Sequence, residues 1–197
     1  MSPSEERKSV EPSGKRRELA EDLGTGYLAL DDGTLVAFRP IRVGDVPALK
    51  RFHRRLSKRS IYLRYFGAVT ELSEKMARKF VRLDGEPGLA LVALDPGDQN
   101  EIVAVVLYVR EGGTGRAEYA ALVEDRWQGK GLGLGLTRRL IEAALERGVD
   151  RFWGLVLPEN ARMLNLLRDL GLPEQLWVEN GVEHVEIELA PDRRMKG

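Results

Sequence analysis

The sequence predicts an α/β fold in which helices cover both faces of a mixed, mostly antiparallel sheet. Three observations lead to this prediction. Strand-length apolar runs separated by Gly- and Pro-containing turns follow one another in the middle of the chain, as in an antiparallel meander. Apolar residues then recur four apart at Leu132, Leu136, Leu140 and Ala144, which indicates one face of a helix. Residues 152–157 are continuously apolar, as expected of a buried strand reached by a crossover.

The remaining elements are predicted in chain order. A hairpin is expected over residues 27–41 around the turn Asp31-Asp32-Gly33, and helices are expected to begin at Asp45 and at Ser73. The stretch between these helices, residues 60–67, is too aromatic for a plain linker. The meander strands are expected at residues 89–94, 102–110 and 116–124, and a helix over 160–170 and a strand over 185–189 complete the fold.

Composition limits the classes of function. The 31 basic and 31 acidic side chains balance, so no overall charge directs the protein to nucleic acid or to an anionic membrane. No cysteine is present, which excludes disulfides and thiolate metal sites, and no apolar run approaches the ~20 residues of a membrane span. We therefore expect a cytoplasmic protein with a disordered charged tail over residues 1–24, which contain no aromatic residue, and a single domain over 25–197.

The most informative segment lies between the last meander strand and the long helix, and consists of Gln128, Gly129, Lys130, Gly131, Leu132 and Gly133. Glycines lack Cβ atoms, so successive backbone N–H groups can converge on an anion at the helix start, where the helix dipole adds partial positive charge. Lys130 adds a mobile cation. A helix start without a ligand would not need four glycines at 129, 131, 133 and 135, because each destabilises a helix by about 1 kcal/mol.

The glycine spacing separates three kinds of phosphate site. A Walker loop requires four residues between its first glycine and a Gly-Lys-Ser/Thr ending, and that spacing is absent here. The dinucleotide pattern Gly-x-Gly-x-x-Gly fails because its last position falls on Leu134 or Leu136. The pattern that remains is Gln-x-x-Gly-x-Gly, which Gln128, Gly131 and Gly133 satisfy.

With this pattern and the surrounding order of elements, the chain resembles the GNAT acetyltransferase superfamily over about residues 35–189. Within that superfamily it is similar to the bacterial protein-lysine acetyltransferases that modify acyl-CoA synthetases. The resemblance rests on Arg39-Pro40-Ile41 with Asp45, residues 56–66, Ala117-Glu118, residues 127–133 and Pro158-Glu159-Asn160 through Gly171. It implies acetyl-CoA as acyl donor and a protein lysine as acceptor, with an acyl-CoA synthetase as the expected protein partner. The residues themselves predict no metal site. Many GNAT enzymes carry a tyrosine acid where this chain has Leu167.

The resemblance also implies roles for individual residues. The strand with Ala121, Leu122 and Val123 would pair with the pantetheine arm, and one of its N–H groups would face the thioester oxygen. Glu118, earlier on that strand, is the candidate general base, desolvated by apolar neighbours; the alternative is a solvent-facing strand glutamate. Asn160 would contact the cofactor arm, act as a helix cap, or both.

Other polar residues are left open by the sequence. Tyr62, Arg64, Tyr65 and Phe66 would either form the floor of the acceptor pocket or belong to the core. His53 and His184 have no partner in the sequence that suggests metal or triad chemistry. A small-molecule amine acetyltransferase is the second hypothesis. A non-catalytic acyl-CoA sensor is the third, and it would not require Glu118.

Overall fold

The computed structural model describes residues 24–190, apart from Ala68, Thr70 and residues 84–87. The described residues form one sheet of eight strands in the order β1-β2-β3-β4-β5-β6-β8-β7. The strands are β1 (Gly26–Ala29), β2 (Leu35–Pro40), β3 (Gly88–Asp95), β4 (Asp98–Arg110), β5 (Arg116–Val123), β6 (Arg151–Val156), β7 (Glu174–Glu179) and β8 (Val182–Glu188). Only β5 and β6 are parallel neighbours; every other pair is antiparallel. The predicted mixed, mostly antiparallel sheet is confirmed.

Helices cover both faces of this sheet, as the sequence predicted. The first face carries α1 (Val46–Arg55), α2 (Lys58–Tyr65) and α3 (Glu74–Phe80), and the second carries α4 (Leu132–Glu146) and α5 (Ala161–Asp169). Each face has its own buried apolar cluster, one with Leu49 and Phe52 of α1 and the other with Leu136 and Leu140 of α4. The tail predicted for residues 1–24 lies outside the described residues except for Gly24. None of the described helices combines the length and apolar character needed to cross a membrane.

Side-chain caps begin three of the helices. The hydroxyls of Ser57 and Ser73 and the amide oxygen of Asn160 each accept a backbone N–H three residues on, at 3.1, 3.2 and 3.2 Å. Ser73, Asn160 and Asp45 were all expected at helix starts, and each directly precedes its helix. The capping bond expected of Asp45 is absent, because its carboxylate accepts from the Arg39 guanidinium at 2.7 and 2.9 Å.

The structure differs from the sequence-based expectation at three further elements. The aromatic stretch after Ser57 is the helix α2, which ends at Phe66 in the left-handed region with φ 57°. The edge strand β7 was not expected, because its side chains are exposed on both faces and show no alternation. Strand β6 is not buried on both faces: Phe152 and Val156 are buried, but Leu155, on the opposite face, is 42% exposed.

Candidate active site

Strands β5 and β6 separate after a short parallel start, and this separation defines the candidate site. Their paired register covers only Arg116, Ala117 and Glu118 against Arg151, Phe152 and Trp153. In an antiparallel pair, the backbone groups of successive residues point alternately toward the partner strand and away from it. Two hydrogen bonds show which residues of β5 point toward β4: Glu111 N–H donates to the Arg116 carbonyl, and Glu124 N–H donates to the Val103 carbonyl. The backbone of Leu122 therefore faces β4. Ala121 and Val123 direct their N–H groups into the gap, beyond the last residue paired with β6.

The glycine-rich segment lies at the end of this gap. After β5 the chain makes a short 3₁₀ turn over Asp125–Trp127, and the Gln128 side chain then donates back to the Val123 carbonyl at 2.7 Å. Gly129 and Gly131 both have left-handed backbones, with φ 71° and 81°, and Gly131 is the first residue before α4. Within the described residues, the N–H groups of residues 129–133 donate to no acceptor. Converging free N–H groups at a helix start form an anion site.

Gly133 has a different purpose from the two left-handed glycines. It lies inside α4, and a Cβ there would approach Leu166 of α5 to 3.0 Å and Val123 to 3.4 Å. Its missing side chain therefore lets α4 pack closely on α5 and on the end of β5. The roles of Gly129, Gly131 and Gly133 in binding a ligand stay a prediction.

Glu118 lies on β5 with an exposed side chain. Since side chains two residues apart share a face of a strand, it points to the same face as Ala120 and Leu122. Its neighbours Ala117 and Tyr119 belong to the core on the opposite face, so they do not supply the desolvation expected for its carboxylate. The Glu118 side chain therefore faces solvent, as the alternative interpretation expected. The role of Glu118 as a general base stays a prediction.

A small cavity opens on the Glu118 face of the sheet. Its wall includes Ala120, Ala121 and Leu122 of β5, and α1 and α2 contribute the polar side chains His53, Arg64 and Tyr65. Ala120 is two residues from Glu118, about 7 Å along a strand. The same stretch of β5 therefore borders the gap through its backbone and the cavity through its side chains. Tyr62 and Phe66, also expected near the acceptor, are exposed and are not among the lining residues.

The comparisons with known proteins agree with this geometry. The family model "Acetyltransferase (GNAT) domain" matches residues 36–173. The chain belongs to the GNAT acetyltransferase family. A curated acetyltransferase of Pseudomonas aeruginosa is 31% identical over 149 residues, which are 75% of this chain and 80% of the relative.

Two further relatives carry the name Pat. The curated acetyltransferase Pat of Mycolicibacterium smegmatis is 30% identical over 179 residues, which are 89% of this chain but only 52% of that longer protein. The crystal structure of the GNAT domain of S. lividans PAT superposes with a TM-score of 0.76 at 31% identity and covers 90% of this chain and 99% of that one. The predicted fold and enzyme class are therefore confirmed.

In this GNAT domain the described residues offer no tyrosine acid on α5, where Leu167 is buried in the core. Tyr119 of β5 is also buried; its hydroxyl shares a 2.7 Å hydrogen bond with Thr137, which donates to the Gly133 carbonyl at 2.7 Å. Burial raises the pKa of the Tyr119 phenol, and the hydrogen bond with Thr137 offsets only part of this increase. Tyr119 therefore stays protonated and joins β5 to the first turn of α4.

A hydrogen-bonded cluster connects α2 to the loop that leads into the glycine-rich segment. The Asp125 carboxylate accepts from Ser57 N–H at 2.9 Å and from the Ser57 and Ser60 hydroxyls at 2.7 and 2.9 Å. Partial burial would raise the pKa of Asp125, but these bonds together hold it below its ordinary value. Gln128 donates to the Ser60 hydroxyl at 3.2 Å. We call Ser57, Ser60, Asp125 and Gln128 the α2 anchor.

Two groups at the acetyltransferase site were missed by the sequence reasoning. Arg162, in the first turn of α5, contacts the Gln128 amide oxygen, and no described carboxylate pairs with it. The β1–β2 turn was predicted as a turn but not placed at the site. Asp31 N–H donates to the Lys130 carbonyl at 3.2 Å, and the Asp32 carboxylate lies 3.2 Å from Lys130 Nζ. Hydrogen bonds from Thr34, and then from Lys130, hold the pKa of Asp32 at about 2.

We call the glycine-rich segment, residues 128–133, the cradle. The Asp31 carboxylate lies beside it, since a Cβ on Gly131 would be 2.9 Å from its oxygen. A carboxylate here opposes a bound diphosphate by about 0.7 kcal/mol per unit charge at about 6 Å in a water-like dielectric. We expect Asp31→Asn to tighten CoA binding about threefold to tenfold at low salt, measured by calorimetry. The gain should shrink as salt is added.

Glu146→Gln is the matched control for Asp31→Asn. It removes the same charge from an exposed side chain at the other end of the 15-residue helix α4, about 20 Å from the cradle. We expect CoA affinity to be unchanged in this variant. Equal tightening in both variants would indicate an effect of net charge alone, and weaker binding in Asp31→Asn would mean that this carboxylate supports the cradle.

Proposed function

We propose that this GNAT enzyme transfers the acetyl group of acetyl-CoA to an amine, namely a lysine side chain of a protein, by direct attack with Glu118 as general base. The single observation that carries the proposal is the gap between β5 and β6, with free N–H groups at its far end. An extended arm fits such a gap by pairing with the exposed edge of β5. A diphosphate fits the helix start at the same end.

The donor would be held by groups of two kinds. Residues Gln128, Gly129, Lys130, Gly131, Leu132 and Gly133 would hold the diphosphate through backbone N–H groups, Lys130 Nζ and the α4 dipole. Ala121 and Val123 would pair with the arm through the N–H groups that face the gap, and one of these would polarise the thioester carbonyl. Leu122 can contribute only its side chain, because its backbone faces β4. Asn160 caps α5 through its side chain and would contact the arm as well.

The acceptor would reach the thioester from the cavity side of β5. A lysine ammonium must lose a proton before it can attack, and its ordinary pKa of about 10.4 makes the neutral amine rare at pH 7. The exposed Glu118 carboxylate beside the cavity would receive that proton through a water molecule. The neutral amine would then attack the acetyl carbon, and CoA would leave as the thiol after it takes up a proton.

The preference for a protein lysine rests on two supports. The first is the sequence, which resembles the lysine-modifying branch of the superfamily. The face of β6 that carries Leu155 is open, so a large acceptor can approach the Glu118 face from the side. An acyl-CoA synthetase is the acceptor class that the resemblance suggests first.

The test uses the purified full chain, radiolabelled acetyl-CoA and a cell lysate. One half of the lysate is dialysed to remove small molecules, and the other half is used without dialysis. We expect label in the protein fraction of both halves, on N-acetyllysine after proteolysis and mass spectrometry. Label confined to the small-molecule fraction of the whole lysate would replace the protein acceptor by a small amine. Tight CoA binding with no transfer to either fraction would support the non-catalytic sensor.

A further inference from the structure

His53 is the most unusual polar side chain in the described part of the protein. It lies on α1, is 1% exposed, and lines the cavity on the Glu118 face. Neither of its ring nitrogens has a hydrogen-bond partner among the described residues. Buried polar side-chain atoms are normally paired, because an unpaired one destabilises the fold, so an imidazole with both nitrogens free needs an explanation.

The surroundings of His53 favour an uncharged polar ligand. Among the described residues, the cavity wall contains one charged group, the Arg64 guanidinium, and no carboxylate. The Arg64 guanidinium lies 5.3 Å from the Tyr65 ring centre, and that ring is 5.8 Å from the imidazole. The other lining residues are apolar, among them Leu49, Phe52 and Val105. A cation would be repelled by Arg64, whereas an apolar chain that ends in a neutral amine suits such a wall.

The protonation state of His53 agrees with this environment. Burial lowers the pKa of its imidazole, and the more distant Glu71 carboxylate opposes the shift only in part. The ring is therefore neutral at neutral pH, with one N–H donor and one acceptor nitrogen. The acceptor nitrogen can take a hydrogen bond from an amine.

We propose that His53 positions the acceptor amine: its acceptor nitrogen takes a hydrogen bond from the neutral amine inside the cavity. The inference rests on the proposed amine acetylation and deepens it, because it names the group that holds the attacking nitrogen. Glu118 would first take a proton from the ammonium at the cavity mouth. The amine nitrogen then bonds to the acetyl carbon, the carbon–sulfur bond breaks, and the second proton passes from nitrogen to the leaving thiolate, which departs as CoA. His53 stays neutral throughout.

The position of β5 supports this role. Ala121 borders both the gap and the cavity, so an acetyl group held at its N–H is open to attack from the side where His53 lies. Glu118 is not among the lining residues of the cavity. A base at the mouth would remove the positive charge before the amine enters an apolar space that already holds Arg64, and His53 would then hold the neutral amine there.

Substitution separates this role from a structural one, because the two predict opposite results. His53→Leu removes an unpaired polar ring from an apolar wall, so we expect an equal or higher Tm. We also expect kcat/KM for Nα-acetyl-lysine methylamide to fall at least about tenfold, with the Kd for CoA unchanged within twofold. His53→Gln keeps a hydrogen-bond acceptor and should lose less. If His53→Leu has a higher Tm and full kcat/KM, the proposal is wrong.

A spectroscopic measurement does not depend on turnover or on the folding of a variant. The chain has two histidines, so ¹⁵N-labelled imidazole spectra of the wild type contain two ring systems, and His184→Gln identifies the one that belongs to His53. We expect the acceptor nitrogen of His53 to shift when CoA and Nα-acetyl-lysine methylamide are added together. No shift at a saturating amine concentration would overturn the proposal. Wild type that transfers acetyl to no amine would instead overturn the proposed function.

Discussion

Glu118→Gln is expected to lower turnover about 10²- to 10⁴-fold, equivalent to about 3–5 kcal/mol of barrier. CoA affinity should stay nearly unchanged, because the carboxylate receives a proton and does not hold the donor. The loss should shrink as pH rises, since an acceptor lysine then loses its proton to bulk water near its ordinary pKa of about 10.4. Turnover and CoA affinity measured from about pH 6 to 10 on both proteins would show this.

The control for Glu118→Gln is Glu179→Gln, which makes the same change on the exposed edge strand β7. It should keep both turnover and pH profile. Wild-type turnover of Glu118→Gln at neutral pH would remove Glu118 from the mechanism. A lower Tm with an unchanged pH profile of the remaining folded enzyme would identify it as a structural glutamate.

Gly131→Asp is expected to weaken CoA binding by about two orders of magnitude, or about 2.7 kcal/mol. Its carboxylate would repel the diphosphate, and its Cβ would be only 2.9 Å from the Asp31 carboxylate. The backbone at Gly131 is left-handed, so the new residue also strains the start of α4 by about 1–2 kcal/mol. Calorimetry with CoA measures the binding loss, and Tm measures the strain.

Gly171→Asp separates strain from charge at the site. Gly171 also has a left-handed backbone, with φ 68°, and a Cβ there would contact nothing within 4 Å. This control should lose stability but keep CoA affinity. Unchanged affinity in a folded Gly131→Asp variant would place the donor away from residues 128–133, and equal loss in both variants would mean that strain alone weakens binding.

The sequence predicted the cradle because its information is local: glycine spacing and a helix start lie within six residues. The same local argument could not place Asp31, since about a hundred residues separate this turn from Lys130 and only the sheet brings them together. It also failed for α2, whose Ser57 cap was hidden by an aromatic run without a single apolar face.

His53 shows a different limit. Its place on the apolar face of α1 was readable from periodicity, and its burial is confirmed. Whether a buried histidine has a partner depends on residues from α2 and β5, which no spacing rule brings together. Leu155 shows the reverse case: this apolar strand residue was expected to be buried, but its side chain is largely exposed, and whether a neighbouring element covers a strand cannot be read from the strand alone.

The α2 anchor has a consequence for how the two substrates affect each other. Helix α2, which carries Arg64 and Tyr65, is hydrogen-bonded through Ser60 to Gln128. A shift of residues 128–133 on binding the donor would therefore move α2 and, with it, the wall of the cavity. We therefore expect the affinities for donor and acceptor to be linked, and such linkage is reciprocal: each ligand changes the affinity for the other by the same factor. A filled cradle then prepares the cavity for the amine, and an amine in the cavity slows the escape of the donor.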